Sequence, residues 1–280
     1  MLWYVNGDLL PAEKARLSVD DRGFLHGLGL FETILVYEGR PALLKHHLER
    51  LEASARELGL QMPVDWEPVK AVEAVIRAGN IVHGAIRLTV TAGPEGGSPG
   101  VVVAPRPHHP HHAEDCRRGW RASLIPWRRY PQNPIYRHKT LNFAENMLAR
   151  RWAHSSGYDE GLFENTDGHI TEGTVTNLFV FDNGNRLCTP PVKDGLLPGV
   201  VRRVVLELAR GNGIPAIETS LLPEDLFHIR EAFLTNSLLG IMPLVKIEGH
   251  TLGDGLPGPL TSFIHRLYMD LLSKHSCSLQ

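Results

Sequence analysis

Apolar and polar positions along this chain follow two rhythms, and the points where one gives way to the other predict its elements. Residues 1–10 alternate around Asn6-Gly7-Asp8, a sequence suited to a tight turn, so the spacing predicts a β-hairpin. Leu30 to Tyr37 reads as a strand closed by Glu38-Gly39. Between Lys45 and Leu58 the apolar residues Leu48, Leu51, Ala55 and Leu58 recur at helical spacing, and Gly59 ends the run. A second helix is predicted over Trp66 to Ala78, with strands at Ala85 to Thr91 and Val101 to Ala104.

In the second half strand and helix alternate more regularly. A strand is predicted at Ala122 to Pro126 and a helix at Asn142 to His154, with Asn142 as N-cap and Glu145 completing a capping box. Glu160 to Glu164 and His169 to Thr171 form a hairpin about the turn at Asn165–Gly168, and Thr174 to Phe181 continues the strands. Gly199 opens a helix with Val201, Val204, Val205 and Leu208 on one stripe. Strands at Glu231 to Asn236 and Ile241 to Ile247 precede an amphipathic helix over Pro259 to Leu272. This mixture reads as an α/β (α+β) fold. The composition changes at the histidine tract, which divides the chain into 1–112 and 113–280.

Composition excludes more than it selects. Of 280 residues, 42% are hydrophobic and 21% charged, and the net charge of −2 gives no electrostatic reason to expect nucleic acid or an anionic membrane as partner. Neither a signal peptide nor a membrane span is expected. Cys116, Cys188 and Cys277 are far apart, with no zinc or disulfide spacing, which fits the cytoplasm. The tract His108-His109-Pro110-His111-His112 lacks acidic or cysteine partners at ligand spacing, so it reads as a linker and no metal site is expected.

Five features carry candidate chemistry. Lys139 lies just before the predicted helix start, where the positive end of the helix favours a neutral amine that can form a Schiff base. Val200 and Val201 follow Gly199 and offer helix-start amides to an anion, with Arg202 and Arg203 adding charge nearby. Thr235-Asn236-Ser237 ends a strand with small polar groups. Arg50 sits mid-helix, and Glu172 ends a strand before Gly173. Reactive lysine, anion cradle and carboxylate are the three parts that a pyridoxal phosphate enzyme needs.

With these in place, the chain resembles the class IV (fold type IV) pyridoxal phosphate enzymes over nearly its whole length. The matching stretches are Gly27–Thr33, His47–Leu51, His138–Asn142, Thr171-Glu172-Gly173 with Asn177-Leu178-Phe179, Leu197–Arg203 and Phe233–Leu244. The resemblance implies a two-domain D-amino acid aminotransferase-like fold with pyridoxal 5'-phosphate between the domains, assembled as a homodimer. It implies that Lys139 takes the cofactor aldehyde and moves the substrate proton. Glu172 would pair with the pyridine nitrogen, while Arg50, Val200, Val201, Asn236 and Ser237 would hold the phosphate. Within the family the Lys139–Asn142 run and the Asn236–Leu238 turn look most like 4-amino-4-deoxychorismate lyase, a small-molecule enzyme of folate biosynthesis. Branched-chain and D-amino acid transaminases carry tyrosines where this chain has Phe143 and Phe31. The lyases commonly carry an aspartate where Leu28 stands and an arginine where Ala92 stands, so Arg87, Arg128 or Arg137 would meet the substrate carboxylates. Thr33 would pass a proton to the leaving group. The alternatives are a class IV transaminase acting on branched-chain or D-amino acids, and a cofactor-free binding protein.

Overall fold

The computed structural model describes residues 1–107 and 113–277, and the histidine tract falls outside them. The chain divides into two compact units. One comprises Met1–His109, His138–Asn142 and Leu272–Gln280, and the other Pro110–Arg137 and Phe143–Leu271. The Lys139 segment therefore clusters with the N-terminal residues, although the composition change alone would assign it to the second half.

The first unit is built on a sheet of β1 (Leu2–Val5), β2 (Asp8–Pro11), β3 (Gly29–Tyr37), β4 (Arg40–Pro41), β5 (Gly84–Thr91) and β6 (Gly100–Arg106), in the order β2-β1-β6-β5-β3-β4. Its pairings are antiparallel. The predicted hairpin closes at Asn6 and Gly7, both at positive φ. The glycine-rich stretch Asp20–Gly29 contains the short helix α1 (Arg22–His26), because Asp21 accepts a hydrogen bond from Gly23 N–H and caps it.

Helices α2 (Leu44–Glu57) and α3 (Pro68–Ala78) cover one face of this sheet. Leu51 and Ala55 of α2, with Val72, Val75 and Ile76 of α3, pack on Leu30, Ile34, Val36, Ile86, Leu88, Val90, Val101 and Val103. Strand alternation sends the intervening residues Phe31, Thr33 and Leu35 to the opposite face.

The second unit begins with α4 (Ala113–Arg118), which the sequence pattern does not predict. It continues with β7 (Trp120–Arg129), α5 (Ala144–Ser155), β8 (Glu160–Asn165), β9 (Ile170–Gly173), β10 (Asn177–Phe181), β11 (Leu187–Thr189), α6 (Val200–Gly211), β12 (Ala216–Glu218), β13 (Glu231–Asn236), β14 (Gly240–Ile247) and β15 (His250–Thr251). The helix α7 (Pro259–Cys277) closes the described chain. The strands form one mixed sheet in the order β12-β11-β10-β13-β14-β7-β8-β9, with β15 paired to β14. The core gathers Leu162, Ile170, Leu178, Leu234, Met242 and Leu244, all buried. Among the described residues no helix is long and apolar enough to cross a membrane, and no cluster of potential metal ligands occurs.

Candidate active site

Lys139 is placed by a strand-like pairing rather than by a helix. Phe31 N–H donates to the Lys139 carbonyl (2.9 Å), Leu141 N–H donates to Gly29 O (3.0 Å), and Thr140 bridges antiparallel to Leu30. Helix α5 begins only at Ala144, so Lys139 stands beyond the first turn, over which a helix-end field acts. The predicted capping box does not form. Asn142 instead donates from Nδ2 to Gly27 O (3.0 Å), and Phe143 occupies the N-cap without a side-chain bond. Glu145 is drawn elsewhere, accepting from Trp127 Nε1 (3.2 Å) and Arg129 Nε (3.0 Å).

Gly29 makes this pairing possible. A Cβ there would lie 2.6 Å from Val90 O and 2.7 Å from Leu141 Cδ1, so any side chain would push the lysine segment off β3. His138 fixes the other side: its ring meets Ser54 Oγ (3.1 Å) and Glu57 (3.5 Å) on α2.

With its backbone held, the lysine side chain lies over aromatic carbon. Lys139 Nζ is 4.5 Å from the centroid of the Phe31 ring, and the Arg87 guanidinium lies 3.7 Å from the same centroid. Thr33 stands directly opposite Arg87 in the β3–β5 register and shares the face of Phe31. Four of the residues singled out in the sequence, Lys139, Phe31, Thr33 and Arg87, are thus brought together on the face of β3 and β5 turned away from α2 and α3.

Arg50 occupies the opposite face. Its Nε and Nη2 both bond the Glu32 carboxylate, with Nε at 2.8 Å and Nη2 at 2.5 Å, and His47 Nδ1 meets the same carboxylate at 2.7 Å. Glu32 and His47 are each only 1% exposed. Burial would raise the Glu32 pKa, but the charge of Arg50 and the hydrogen bonds from Arg50 and His47 outweigh it and bring the group down to about 2. Burial lowers the His47 pKa despite Glu32, so the imidazole is neutral and donates its Nδ1 proton. The ion pair is therefore Glu32 with Arg50. Glu32 escapes sequence reading because one acidic residue inside an apolar strand looks like an interruption. Its parity with Leu30 and Ile34, toward a helix carrying His47 and Arg50, is the available signal.

In the second unit Glu172 is 6% exposed and held from both sides. Its Oε1 accepts from Arg129 (3.2 Å), and its Oε2 accepts from Leu197 N–H (3.0 Å) and Asn177 Nδ2 (3.4 Å). Arg129, 1% exposed, was not singled out in the sequence. Its guanidinium lies 3.3 Å from the Phe163 ring centroid and bonds Glu145, Asn146 and Glu172. Carrying the β7 alternation past Pro126 would have found it, since Ile125, Trp127 and Arg129 share a parity opposite to Arg128. Two carboxylates, Glu145 and Glu172, thus share the Arg129 guanidinium.

Asn177 ties Glu172 to the remaining candidates. It stands opposite Thr235 in the β10–β13 register and donates to Leu197 O (2.9 Å), and a Cβ on Gly199 would collide with its Oδ1 at 1.9 Å. Gly199 is the N-cap of α6 and supplies no side chain, so the first-turn amides of Val200 and Val201 have no side-chain cap. The Thr235 hydroxyl is buried with no hydrogen-bond partner among the described residues. Asn236 Oδ1 accepts from Leu238 and Leu239 N–H and shapes the turn that holds Ser237. The turn after Glu172 is pinned by buried Glu160, which accepts from Gly161 N–H, from Thr174 through N–H and Oγ1, and from Thr176 Oγ1.

Other expected residues take different places. Arg128 turns outward to Glu164 (2.7 Å), as the alternation demands. Arg137 Nε is buried with no partner among the described residues. Arg202 and Arg203, expected to add charge at the helix start, are committed to Glu218 (2.6 Å) and Glu207 (3.0 Å).

Comparison with known proteins gives this arrangement a class. Residues 29–247 match the model of the amino-transferase class IV family, and the chain belongs to that family. An inferred branched-chain-amino-acid aminotransferase of Methanocaldococcus jannaschii is 34% identical, over 97% of this chain and 96% of the relative. The aminodeoxychorismate lyase of Bacillus subtilis is 32% identical, over 95% and 92%. The crystal structure of the Escherichia coli branched-chain amino acid aminotransferase superposes with a TM-score of 0.89 at 29% identity, covering 97% of this chain and 94% of that one. The fold is that of the D-amino acid aminotransferase-like enzymes, and the cofactor is pyridoxal 5'-phosphate.

The residues present fit that cofactor. A helix start without a side-chain cap and a buried hydroxyl with no partner among the described residues suit a phosphate, and the buried Glu172 carboxylate suits a protonated pyridine nitrogen.

The Glu32 cluster predicts how stability responds to acid. Glu32 has a lower pKa folded than its ordinary 4.5, so its contribution is complete above 4.5 and disappears as pH falls toward 2. His47 also has a lowered pKa, so the folded state takes up fewer protons than the unfolded chain once pH drops below 6.5. Urea midpoints should therefore fall progressively below pH 6.5, with the Glu32 part worth about 3 kcal/mol. Glu32→Gln should remove the limb below 4.5 and cost roughly 3–5 kcal/mol at neutral pH by removing the buried charge that Arg50 and His47 bond. A midpoint flat from pH 7 to 4 would show that the cluster is not ionised in this way.

Proposed function

We propose that this chain is a 4-amino-4-deoxychorismate lyase, releasing pyruvate and leaving 4-aminobenzoate. The observation that carries the reading is the set on the open face of β3 and β5, where the Lys139 amine and the Arg87 guanidinium lie over one Phe31 ring with Thr33 alongside. When bound, pyridoxal 5'-phosphate supplies an aldehyde for the substrate amine and a ring that accepts electrons. Lys139 Nζ removes the proton from the amine-bearing carbon. Phe31 beneath it offers no hydroxyl, so it keeps water from the amine without competing for the proton. Arg87 pairs with a substrate carboxylate. As the C–O bond to the enolpyruvyl group breaks, the Thr33 hydroxyl passes a proton to the departing methylene carbon and takes in its place the one that Lys139 removed, so the three-carbon unit leaves as pyruvate and the amine is restored. Glu172, steadied by Arg129, Asn177 and the Leu197 amide, keeps the pyridine nitrogen protonated. The Val200 and Val201 amides, with Asn236 and Ser237, offer donors to the phosphate, and Arg50, its guanidinium plane fixed by Glu32, is the phosphate arginine that the resemblance implies.

A class IV transaminase acting on branched-chain or D-amino acids is the second reading, favoured by the branched-chain relative and neighbour above. It uses the same lysine to move a proton between two carbons.

Three outcomes test these roles. Borohydride reduction of the holoenzyme and peptide mapping should place the pyridoxyl group on Lys139, and its recovery on Lys193 or Lys246 would displace the assignment. Glu172→Gln should retain the cofactor's visible absorbance while turnover drops by about two orders of magnitude or more; near-normal turnover would assign the role to another group. Aminodeoxychorismate should yield pyruvate with no amino acceptor added. Its failure to do so, together with brisk exchange between D-alanine or a branched-chain amino acid and a 2-oxo acid, would establish the second reading.

A further inference from the structure

The first unit holds a cavity of about 410 Å³ on the helix-covered side of its sheet, between α2 and the connection that leads from α2 to α3. Lys139, Phe31 and Arg87 gather on the opposite face, so this space is separate from the one where the lysine acts.

The sequence explains why the space is left empty of side chains. Leu51 and Ala55 of α2, both buried, form its deepest part, and Ala55 offers only a methyl group where a longer side chain would reach across. Met62 and Trp66 of the connection line it as well, half-buried and packed against the same core. Asp65, in left-handed backbone at φ 59, turns the chain just ahead of Trp66. The indole is held by packing rather than by a hydrogen bond, since its Nε1–H has no partner among the described residues.

Two charges mark the opening. Of the residues lining the cavity only Glu52 and Arg56 are exposed. They stand at i and i+4 on α2, a spacing at which opposite charges ordinarily pair. Glu73 with Arg77, and Arg203 with Glu207, do pair at that spacing, out in solvent. Glu52 and Arg56 form no ion pair among the described residues. One negative and one positive group, a helical turn apart, therefore border an apolar space.

These features narrow the occupant. Ligand pockets span about 300–1,000 Å³, and this one lies near the small end, so a molecule of amino-acid size fits it. The lining calls for an apolar body. The opening calls for an ammonium and a carboxylate close together, as they are on one α-carbon. We propose that this cavity binds a free α-amino acid with a large apolar side chain, which enters between Ala55, Met62 and Trp66 while the ammonium meets Glu52 and the carboxylate meets Arg56. The inference does not depend on which reaction the open face of β3 and β5 performs.

The test uses holoenzyme whose lysine has been capped by borohydride reduction, so that exchange with the cofactor adds no heat. L-Phenylalanine, 3-phenylpropanoate, phenethylamine and L-alanine are titrated by calorimetry. L-Phenylalanine should bind once per chain. The other three lack the ammonium, the carboxylate or the ring, and each should bind about tenfold or more weakly. Arg56→Gln should weaken phenylalanine and phenylpropanoate and leave phenethylamine unchanged. Glu52→Gln should weaken phenylalanine and phenethylamine and leave phenylpropanoate unchanged. Met62→Trp, which fills the cavity, should abolish binding, with retained cofactor absorbance before reduction showing that the variant folds. In a second measurement, phenylalanine should change the tryptophan emission of the parent protein and not that of Trp66→Phe. No saturable binding, equal affinity for phenylalanine and its truncated forms, or binding that persists in Met62→Trp would overturn the proposal.

Discussion

The antiparallel pairing of Lys139–Leu141 with Gly29–Phe31 is the constraint on which the chemistry depends. Two backbone hydrogen bonds fix where the lysine leaves the main chain, and a glycine permits the approach. The same strand that receives the lysine carries Phe31 and Thr33 outward and Glu32 inward. Glu32 is in turn anchored to α2 by Arg50 and His47. One strand thus determines the position of the amine, the surface beneath it and the orientation of an arginine on the far face. A displaced β3 would disturb all three together, because alternation couples them.

Much of the fold was legible because its elements are strongly periodic. The helix with Leu48, Leu51 and Ala55, the valine stripe after Gly199, and the hairpins at Asn6-Gly7 and Asn165–Gly168 follow from spacing and turn chemistry alone. Legibility ended where a tertiary partner outbid a local one. Asn142 and Glu145 satisfy the capping pattern, yet each is bound more profitably elsewhere, Asn142 to Gly27 and Glu145 to Arg129 and Trp127. Arg129 was missed for a simpler reason. A proline was read as the end of β7, whereas Pro126 is tolerated there and the strand runs on to Arg129.

The site residues divide along the same line. Lys139 and Glu172 sit in short distinctive strings and were found from them. Arg129, Asn177 and Glu160, which steady Glu172 and the turn after it, and Glu32, which steadies Arg50, take their meaning from partners elsewhere in the sequence. Buried charge is informative here because it is expensive. Glu32 is matched by Arg50, and Glu172 by Arg129.

The allegiance of His138–Asn142 to the first unit also shapes how the chain is made. More than a hundred residues separate Gly29 from Leu141, and closing that loop costs about 4 kcal/mol of chain entropy. During synthesis the N-terminal sheet can assemble its helix-covered face early, since α2 and α3 lie between its own strands in sequence. The start of β3 pairs with β5 along one edge, but on the other its Phe31 N–H and Gly29 carbonyl must wait until the ribosome has delivered the lysine segment. The lysine that defines the enzyme is therefore among the last pieces fitted to a unit that begins at the first residue. An N-terminal fragment ending at the histidine tract would present that unfinished strand start to solvent and to other chains.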